Sequence, residues 1–203
     1  MIDERADDQA DRLAIRDLIE NWVVWRDSGN WDRFPEVWHD GAEMHATWFQ
    51  GNADAFVRAS RQGWDKGARV WHTLGGSSID LAGPRAVAQT KMTIAARGPV
   101  DGVECDVVCT GRFYDFLEQR KGAWGFVIRQ GIYEKDRIDT VDPAQSVAPD
   151  KAVLEGFPEV YRYLAYMQVG AGMTVKPDMP GLRGAEVEAL YARGQRWLSG
   201  QPI

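Results

Sequence analysis

Four consecutive segments in the middle of the chain are rich in Val, Ile, Thr and aromatic residues. They cover residues 70–81, 86–97, 103–118 and 124–137. Residues of these types favour extended backbone, and the glycine-containing turns between the segments favour tight reversals. Strands of this length in hairpin order predict one strongly curved antiparallel sheet.

Helical patterns lie on both sides of this β region. Before it, we predict three helices, at residues 11–27, 32–38 and 52–66, and one short strand at residues 44–49. After it, we predict a helix over 150–166 that is bent or broken near Gly156, and a last amphipathic helix over 185–198. Helices gathered in front of such a sheet indicate an α+β fold in which they pack into its concave face.

These patterns divide the 203 residues into a sheet-and-helix domain at 1–142 and a helical C-terminal extension at 143–203. The extension contains large apolar residues such as Tyr161, Leu164 and Trp197, which are unusual in a solvated tail. We therefore expect it to pack on the first domain, to cover a pocket mouth or to build a subunit interface. A homo-oligomer, either a dimer or a trimer, is the expected assembly.

The overall charge and hydropathy limit the classes of partner. The net charge is −6 and no cluster of Lys and Arg is present, which argues against a nucleic-acid partner. No long apolar run or signal peptide is found, so we expect a cytoplasmic protein with no membrane partner. Nine Trp, seven Phe and six Tyr favour a pocket for a flat apolar ligand, although a Trp-rich core is the alternative.

The sequence contains none of the common signatures of a cofactor site. Cys105 and Cys109 are four residues apart in a predicted strand, which separates them by roughly 13 Å, too far for a disulfide. No further cysteine or paired histidine motif accompanies them, so a metal site is not indicated. Glycine-rich stretches match neither a phosphate loop nor a dinucleotide fingerprint. We therefore predict that the protein uses no metal and no cofactor.

Asp27 occupies an unusual position at the end of the first predicted helix. Ile15, Ile19 and Val23 recur every four residues along one helix face, and the next step of four is Asp27. A carboxylate there faces the protein interior and lies at the negative end of the helix dipole, so we expect its pKa to be raised. Ionisable groups in such positions are often functional, although a cap at a frayed helix end is the simpler interpretation.

His72 is the histidine whose position best suits it to act together with Asp27. It lies near the start of the first long predicted strand, where alternation gives it the same face as Leu74. A histidine in that setting is usually a hydrogen-bonded core residue. A buried carboxylate on a helix packed against that face would fix the tautomer and raise the basicity of the ring, which makes a general base. His39 and His45 have no comparable partner in the sequence.

The last predicted strand offers a possible cation for the same site. Strict alternation puts Arg129 and Tyr133 on one face, and the pattern leaves open whether that face is the cavity or the exterior. A cavity-facing Arg129 would stabilise a developing negative charge. The candidate substrate-binding residues are Tyr133, Trp48, Val23, Tyr114 and Leu74.

Two longer stretches resemble a known family. The run IRDLIENWVVWRDSGNWDRFPEVWHDGAEMHA resembles the opening of the SnoaL-like branch of the NTF2-like superfamily, and GRFYDFLEQRKGAWGFVIRQGIYEKDR is similar to its closing hairpin. The likeness covers about residues 10–139. It implies a cone-shaped α+β barrel, in which a curved sheet wraps around helices and leaves a pocket between them.

The resemblance also implies a chemistry. Enzymes of that branch use an Asp–His dyad without a cofactor to remove a proton and expel a leaving group, and the matching positions are Asp27 and His72. Arg129 is the candidate by position for the pocket arginine. The long tail and the many aromatic residues also resemble lyases of this superfamily that release formaldehyde from lignin-derived diaryl compounds.

Three functional hypotheses follow from these observations. The first is a cofactor-independent lyase that removes water or a C1 fragment from a small aromatic substrate. The second is a non-catalytic ligand-binding module, or a protein like the small subunit of a ring-hydroxylating dioxygenase, which would not need an Asp–His pair. The third is an isomerase or cyclase, which would need an acid and an oxyanion donor more than a dyad.

Overall fold

The computed structural model describes the backbone of residues 4–203 and the side chains from Asp8 onwards. The helices are α1 (Glu4–Asp27), α2 (Ala53–Asp65), α3 (Lys151–Glu155), α4 (Arg162–Gly170) and α5 (Ala185–Leu198), with a 3-10 turn at Phe34–Val37. The strands are β1 (Trp38–His45), β2 (Gln50–Asn52), β3 (Arg69–Ala82), β4 (Arg85–Val100), β5 (Val103–Arg120) and β6 (Ala123–Thr140). The predicted α+β class and the curved sheet are confirmed.

The six strands form one sheet in the order β2-β1-β6-β5-β4-β3. The four long strands are antiparallel hairpin neighbours, as the turn signals predict, whereas β1 joins β6 in parallel. The short predicted strand at 44–49 is misplaced, because β1 begins at Trp38 and ends at His45. Gly41 has a φ of 78°, and the β1–β6 register shifts between Trp38 and Glu43, so the strand continues through an irregularity.

A bulge in β6 changes which of its side chains face inward. The pairing with β5 shifts between Phe116 and Leu117, whose partners are Ile128 and Phe126, so Val127 is the extra residue. Strict alternation would place Phe126 and Arg129 on opposite faces. The bulge instead brings both to the inner face, where the guanidinium of Arg129 lies 4.2 Å from the centre of the Phe126 ring.

Both faces of the sheet are covered. The inner face packs against α1, α2 and α4 in a large apolar cluster that includes Trp22, Phe56 and Leu164. The outer face packs against α5 in a second cluster, where Trp197 lies among Tyr114 and neighbouring strand residues. The C-terminal segment therefore contributes to both faces, and only part of its helical structure lies on the concave side.

The helices of the C-terminal segment differ in part from the predicted ones. The helix predicted over 150–166 is two helices, α3 and α4, and the break lies where Gly156 and Pro158 interrupt the pattern. Asp136 of β6 accepts hydrogen bonds from the backbone N–H groups of Tyr163 and Leu164 and so caps the start of α4. This cap fixes α4 against the inner face of the sheet. Among residues 4–203, none of the helices combines the length and the apolar character that a membrane span requires.

Candidate active site

A cavity of about 460 Å³ lies between the inner face of the sheet and the helices α1, α2 and α4. Its walls are mainly apolar and aromatic, and they include Trp22, Trp48, Phe56 and Phe113. The volume falls in the range typical of sites for small molecules, roughly 300–1,000 Å³. Asp27 and His72 meet at the part of this cavity that lies beside the end of α1.

The last turn of α1 presents a carboxylate to the first long strand. The helix ends because Gly29 adopts a left-handed conformation with a φ of 72°, and Asn30 donates its N–H back to the carbonyl of Trp25. Asp27 is thereby held beside β3. Its two carboxylate oxygens lie 3.1 Å from Nδ1 of His72, and Oδ2 also accepts the backbone N–H of His72.

This arrangement leaves Nε2 of His72 as the available ring nitrogen. The ionised carboxylate of Asp27 accepts a hydrogen bond from Nδ1–H, which fixes the tautomer with an unprotonated Nε2. Within residues 8–203, no hydrogen-bond partner of Nε2 is found, and His72 lines the cavity. The side chain of His72 is only 6% exposed, so water has little access to the pair.

The electrostatic setting favours a neutral base beside an ionised carboxylate. Burial lowers the pKa of His72, and the charges of Arg26 and Arg129 act in the same direction against the hydrogen bond with Asp27. Burial alone would raise the pKa of Asp27, but the hydrogen bond with His72 and the charge of Arg26 hold it below the usual value. The expectation of a raised pKa at Asp27 is thus wrong, because it considered the helix end and omitted these partners.

Arg26 is a member of the site that the sequence reasoning missed. Its Nη1 donates a hydrogen bond of 2.8 Å to Oδ1 of Asp27, and its side chain lines the cavity. Nε of Arg26 is buried and has no hydrogen-bond partner among the residues whose side chains are described. The helical spacing in the sequence could have indicated this residue. Trp22 and Arg26 are four residues apart and form a second row on the helix, next to the row of Val23 and Asp27.

Aromatic rings hold the imidazole from the sides. The ring of Trp22 meets His72 edge-on with 5.4 Å between centroids, and Phe113 lies 6.0 Å away on β5. Trp22 itself is stacked on Phe56 of α2. The rings restrict the rotation of His72, and they continue into the cavity as its apolar wall.

Arg129 faces inward but does not line the cavity. It forms a bidentate ion pair with Asp115, with both distances 2.8 Å, and both side chains are fully buried. The guanidinium is also enclosed by the rings of Trp22, Phe113 and Phe126 at 4.2–4.6 Å. The sequence-based role of Arg129 as a cation in the pocket is therefore corrected: rings that form the pocket wall separate it from the cavity.

The candidate substrate-binding residues divide into two groups. Tyr133 and Trp48 line the cavity. Val23 and Leu74 pack within the inner apolar cluster and are absent from the cavity wall. Tyr114 lies on the outer face, 5.5 Å from the ring of Tyr191 on α5, because alternation along β5 turns it away from Phe113.

The remaining histidines and the cysteines lie outside the site. Nε2 of His39 is 2.7 Å from the carbonyl oxygen of Glu118, and Nε2 of His45 is 2.8 Å from a carboxylate oxygen of Glu43. Cys105 and Cys109 are unpaired and buried, and burial raises the pKa of both thiols. In the portion of the chain with described side chains, no group of three or more His, Cys, Asp or Glu residues is placed to hold a metal ion.

Comparison with known proteins places the chain in a family. The SnoaL-like domain matches residues 7–130. Pea pathogenicity protein 2 of Fusarium vanettenii is 39% identical over 204 residues, covering 95% of this chain and 88% of that protein. Two solved structures share the fold at 15% identity: a hexachlorocyclohexane dehydrochlorinase, LinA type 2, and a protein assigned as a scytalone dehydratase from Novosphingobium aromaticivorans.

The dehydrochlorinase has a TM-score of 0.58, and the match covers 71% of this chain and 98% of that one. The second structure has a TM-score of 0.55, with 70% and 97% covered. Identity at this level establishes the fold and not the activity. The domain match and the close sequence relative establish that the chain belongs to the SnoaL-like family of the NTF2-like superfamily.

Proposed function

We propose that this protein is a cofactor-independent lyase that acts on a hydrophobic aromatic substrate and uses His72 as its general base. The observation that carries this proposal is the orientation of His72. Its Nδ1 is held by Asp27, its Nε2 lies at an apolar cavity, and burial keeps the ring neutral. A neutral imidazole with one fixed tautomer is the form that accepts a proton.

Each residue of the site has a separate role in this mechanism. His72 takes a proton from a hydroxyl group or a carbon of the substrate. Asp27 orients the ring and stabilises the imidazolium that forms, while Arg26 keeps the carboxylate in place through the contact at 2.8 Å. Because aromatic rings separate Arg129 from the cavity, the negative charge that forms on the substrate is balanced by the imidazolium of His72.

Two outcomes fit this arrangement of groups. In an elimination, the electrons of the broken C–H bond form a double bond, and the leaving group departs as water after taking up a proton. In the loss of a C1 fragment, His72 removes the proton of a hydroxymethyl group and the C–C bond breaks to release formaldehyde. The electron pair of that bond forms a carbon–carbon double bond as the hydroxyl group on the next carbon of the substrate departs, and this group takes up the proton from His72 and leaves as water. A lignin-derived diaryl compound that carries a hydroxymethyl group and a hydroxyl group on the next carbon is a suitable substrate for either reaction. The dehydrochlorinase and the enzyme assigned as a dehydratase, which share the fold, support the eliminative class.

The test is a mass change in a panel of phenolic diaryl alcohols incubated with the purified protein and no added cofactor. His72→Ala should lower the rate by roughly a hundredfold or more, the typical contribution of a positioned base. Asp27→Asn should also lower it, because the charge that supports the imidazolium is lost. His45→Ala is the matched control and should retain the wild-type rate, since His45 pairs with Glu43 away from the cavity.

Wild-type rates in both site variants would reject general-base catalysis and would favour a ligand-binding module. Turnover by the wild type that stops after dialysis against a chelator, and resumes with added metal, would reject the cofactor-independent mechanism.

A further inference from the structure

A second group of polar atoms faces the cavity at a distance from His72. Thr47 donates its backbone N–H to the hydroxyl oxygen of Tyr133 at 3.2 Å, and its own hydroxyl group donates to Oε1 of Gln168 at 2.8 Å. All three residues line the cavity. Thr47 and Tyr133 are only 1% and 2% exposed, so their positions are fixed by the surrounding protein.

The two contacts leave hydrogen-bond donors without acceptors. The oxygen of Tyr133 accepts from Thr47, and its O–H group has no acceptor within the described residues. The amide oxygen of Gln168 accepts from the hydroxyl group of Thr47. The amide N–H groups of Gln168 have no acceptor in the part of the chain whose side chains are described. Burial raises the pKa of Tyr133, so the phenol remains protonated at neutral pH. The phenol of Tyr133 is buried, so its O–H group is costly to leave without an acceptor, and one bound oxygen atom would satisfy both this donor and the amide of Gln168.

Strand register sets the separation of these donors from the base. Leu74, two residues beyond His72, pairs with Met92, Met92 with Gly111 and Gly111 with Tyr133. Tyr133 is therefore three strands away from β3, which corresponds to about 14 Å along the sheet. The concave curvature of the sheet brings both side chains to the same cavity.

We propose that Tyr133 and Gln168 form a donor pair that binds a neutral oxygen of the substrate, either a carbonyl or an ether or hydroxyl oxygen, while His72 acts on its other end. The substrate class is then an elongated molecule of two aryl rings with an acceptor oxygen away from the reacting group. Because about 14 Å separates the strands that carry the two groups, a two-ring molecule spans the cavity better than a single ring. This inference rests on the proposed function for the role of His72, but its binding test does not require turnover.

The donor pair lies outside the segment that matches the SnoaL-like domain, because Tyr133 follows residue 130 and Gln168 belongs to α4. The C-terminal segment thus supplies part of the substrate specificity, and the dyad comes from the domain itself. Gly131 protects the geometry of the phenol, since a Cβ atom at that position would lie 2.7 Å from the hydroxyl oxygen of Tyr133.

The experiment measures binding through quenching of tryptophan fluorescence, because Trp22 and Trp48 line the cavity. The probes are deoxybenzoin, which has two rings and a carbonyl, bibenzyl, which has the same rings without oxygen, and acetophenone, which has one ring. All measurements are made in the full-length protein and repeated in His72→Ala, which keeps the cavity but cannot remove a proton. Loss of turnover and loss of binding are thereby distinguished.

We expect deoxybenzoin to bind more tightly than bibenzyl, and acetophenone to bind most weakly. Tyr133→Phe should weaken deoxybenzoin binding roughly five- to tenfold, the effect of one lost hydrogen bond, and should leave bibenzyl unchanged. Gln168→Leu should act in the same direction. Tyr161→Phe is the matched control, since the ring of Tyr161 packs 5.2 Å from that of Tyr133. The hydroxyl group of Tyr161 donates to the backbone carbonyl oxygen of Lys176, which is not part of the cavity wall.

Equal affinity for deoxybenzoin and bibenzyl in the wild type would overturn the proposal, and this comparison holds even if the variants fail to fold. An equal loss of both probes in Tyr133→Phe would also overturn it, because the ring and not the hydroxyl group would then be responsible. Binding that persists in His72→Ala with the same probe preference would support the donor pair even if no turnover is found.

Discussion

The buried ion pair between Arg129 and Asp115 gives the sharpest test of the interior beneath the site. Both side chains have zero exposure, and two hydrogen bonds of 2.8 Å join them. Burial raises the pKa of Asp115 despite the nearby guanidinium, which means that the loss of hydration is only partly offset. We expect Arg129→Met to be strongly destabilising, because the carboxylate would remain in an apolar interior without its partner.

Removal of one partner from a buried pair costs about 3–5 kcal/mol. For a chain of this size that loss corresponds to a fall of roughly 6–20 °C in Tm. Replacement of both partners removes the unpaired charge, so Arg129→Met with Asp115→Val should recover most of the loss, to within about 2 kcal/mol of the wild type. The measurement is urea unfolding of the two single variants, the double variant and the wild type, with a common slope as the criterion for a two-state comparison.

The pair Arg97–Asp106 is a matched control, because it has the same bidentate geometry between β4 and β5 but its side chains are 35% and 30% exposed. Arg97→Met should barely change the urea midpoint. Two results would contradict a buried pair whose unpaired charge is costly. The first is a double variant that loses as much stability as the two single variants combined, and the second is an Arg129→Met variant that lowers the free energy of unfolding no more than Arg97→Met. In either case Arg129 would have a role other than balancing a buried charge.

Three further predictions concern the site and the C-terminal segment. The pKa values of His72 and Asp27 are both lower in the folded state, so the unfolded chain binds more protons. The free energy of unfolding should therefore fall as the pH drops below about 6.5 and again below about 3.9. A urea midpoint that depends less on pH in His72→Gln than in the wild type would support this, and an equal pH dependence would contradict it. Arg26→Gln removes a charge that lowers the pKa of His72, so an NMR titration of the ring should shift to higher pH, while a shift to lower pH would reject the role of Arg26. A chain ended after Pro149 loses α3, α4 and α5 and should aggregate or lose affinity for the probes. Unchanged stability and binding would show that the segment is dispensable.

The sequence predicted best those features that depend on local periodicity. The four long strands and the last helix follow from residue type and from turn signals a few residues apart. The contact between Asp27 and His72 could also be anticipated, because a helical row that ends in a carboxylate and an alternating strand each orient one side chain. Trp22 and Arg26 form a second row, beside the first, and the same periodicity could have identified it.

The errors arise where the outcome depends on contacts between distant segments. Alternation along β5 distinguishes Phe113 from Tyr114, but it does not say which is on the inner face. The usual clue, a polar outer face, is missing because α5 covers that side with its own apolar residues. The face of Arg129 stays open for a related reason, since its partner Asp115 is on the neighbouring strand and the bulge at Val127 breaks the alternation along β6.

The charges around the cavity bear on the kind of substrate that it accepts. Arg26 balances Asp27, the Arg129–Asp115 pair is neutral as a unit, and His72 carries no charge because burial lowers its pKa. The charges of the groups at the dyad therefore sum to zero, and a neutral substrate leaves that sum unchanged. When His72 removes a proton, an imidazolium and a substrate anion form together, and the net charge of the site does not change. Apolar walls strengthen the attraction between these two charges, since few water molecules screen them. A substrate with a carboxylate beside the reacting group would lose its hydration there, because Arg26 is already paired with Asp27, so such diaryl acids should bind less tightly than their uncharged analogues.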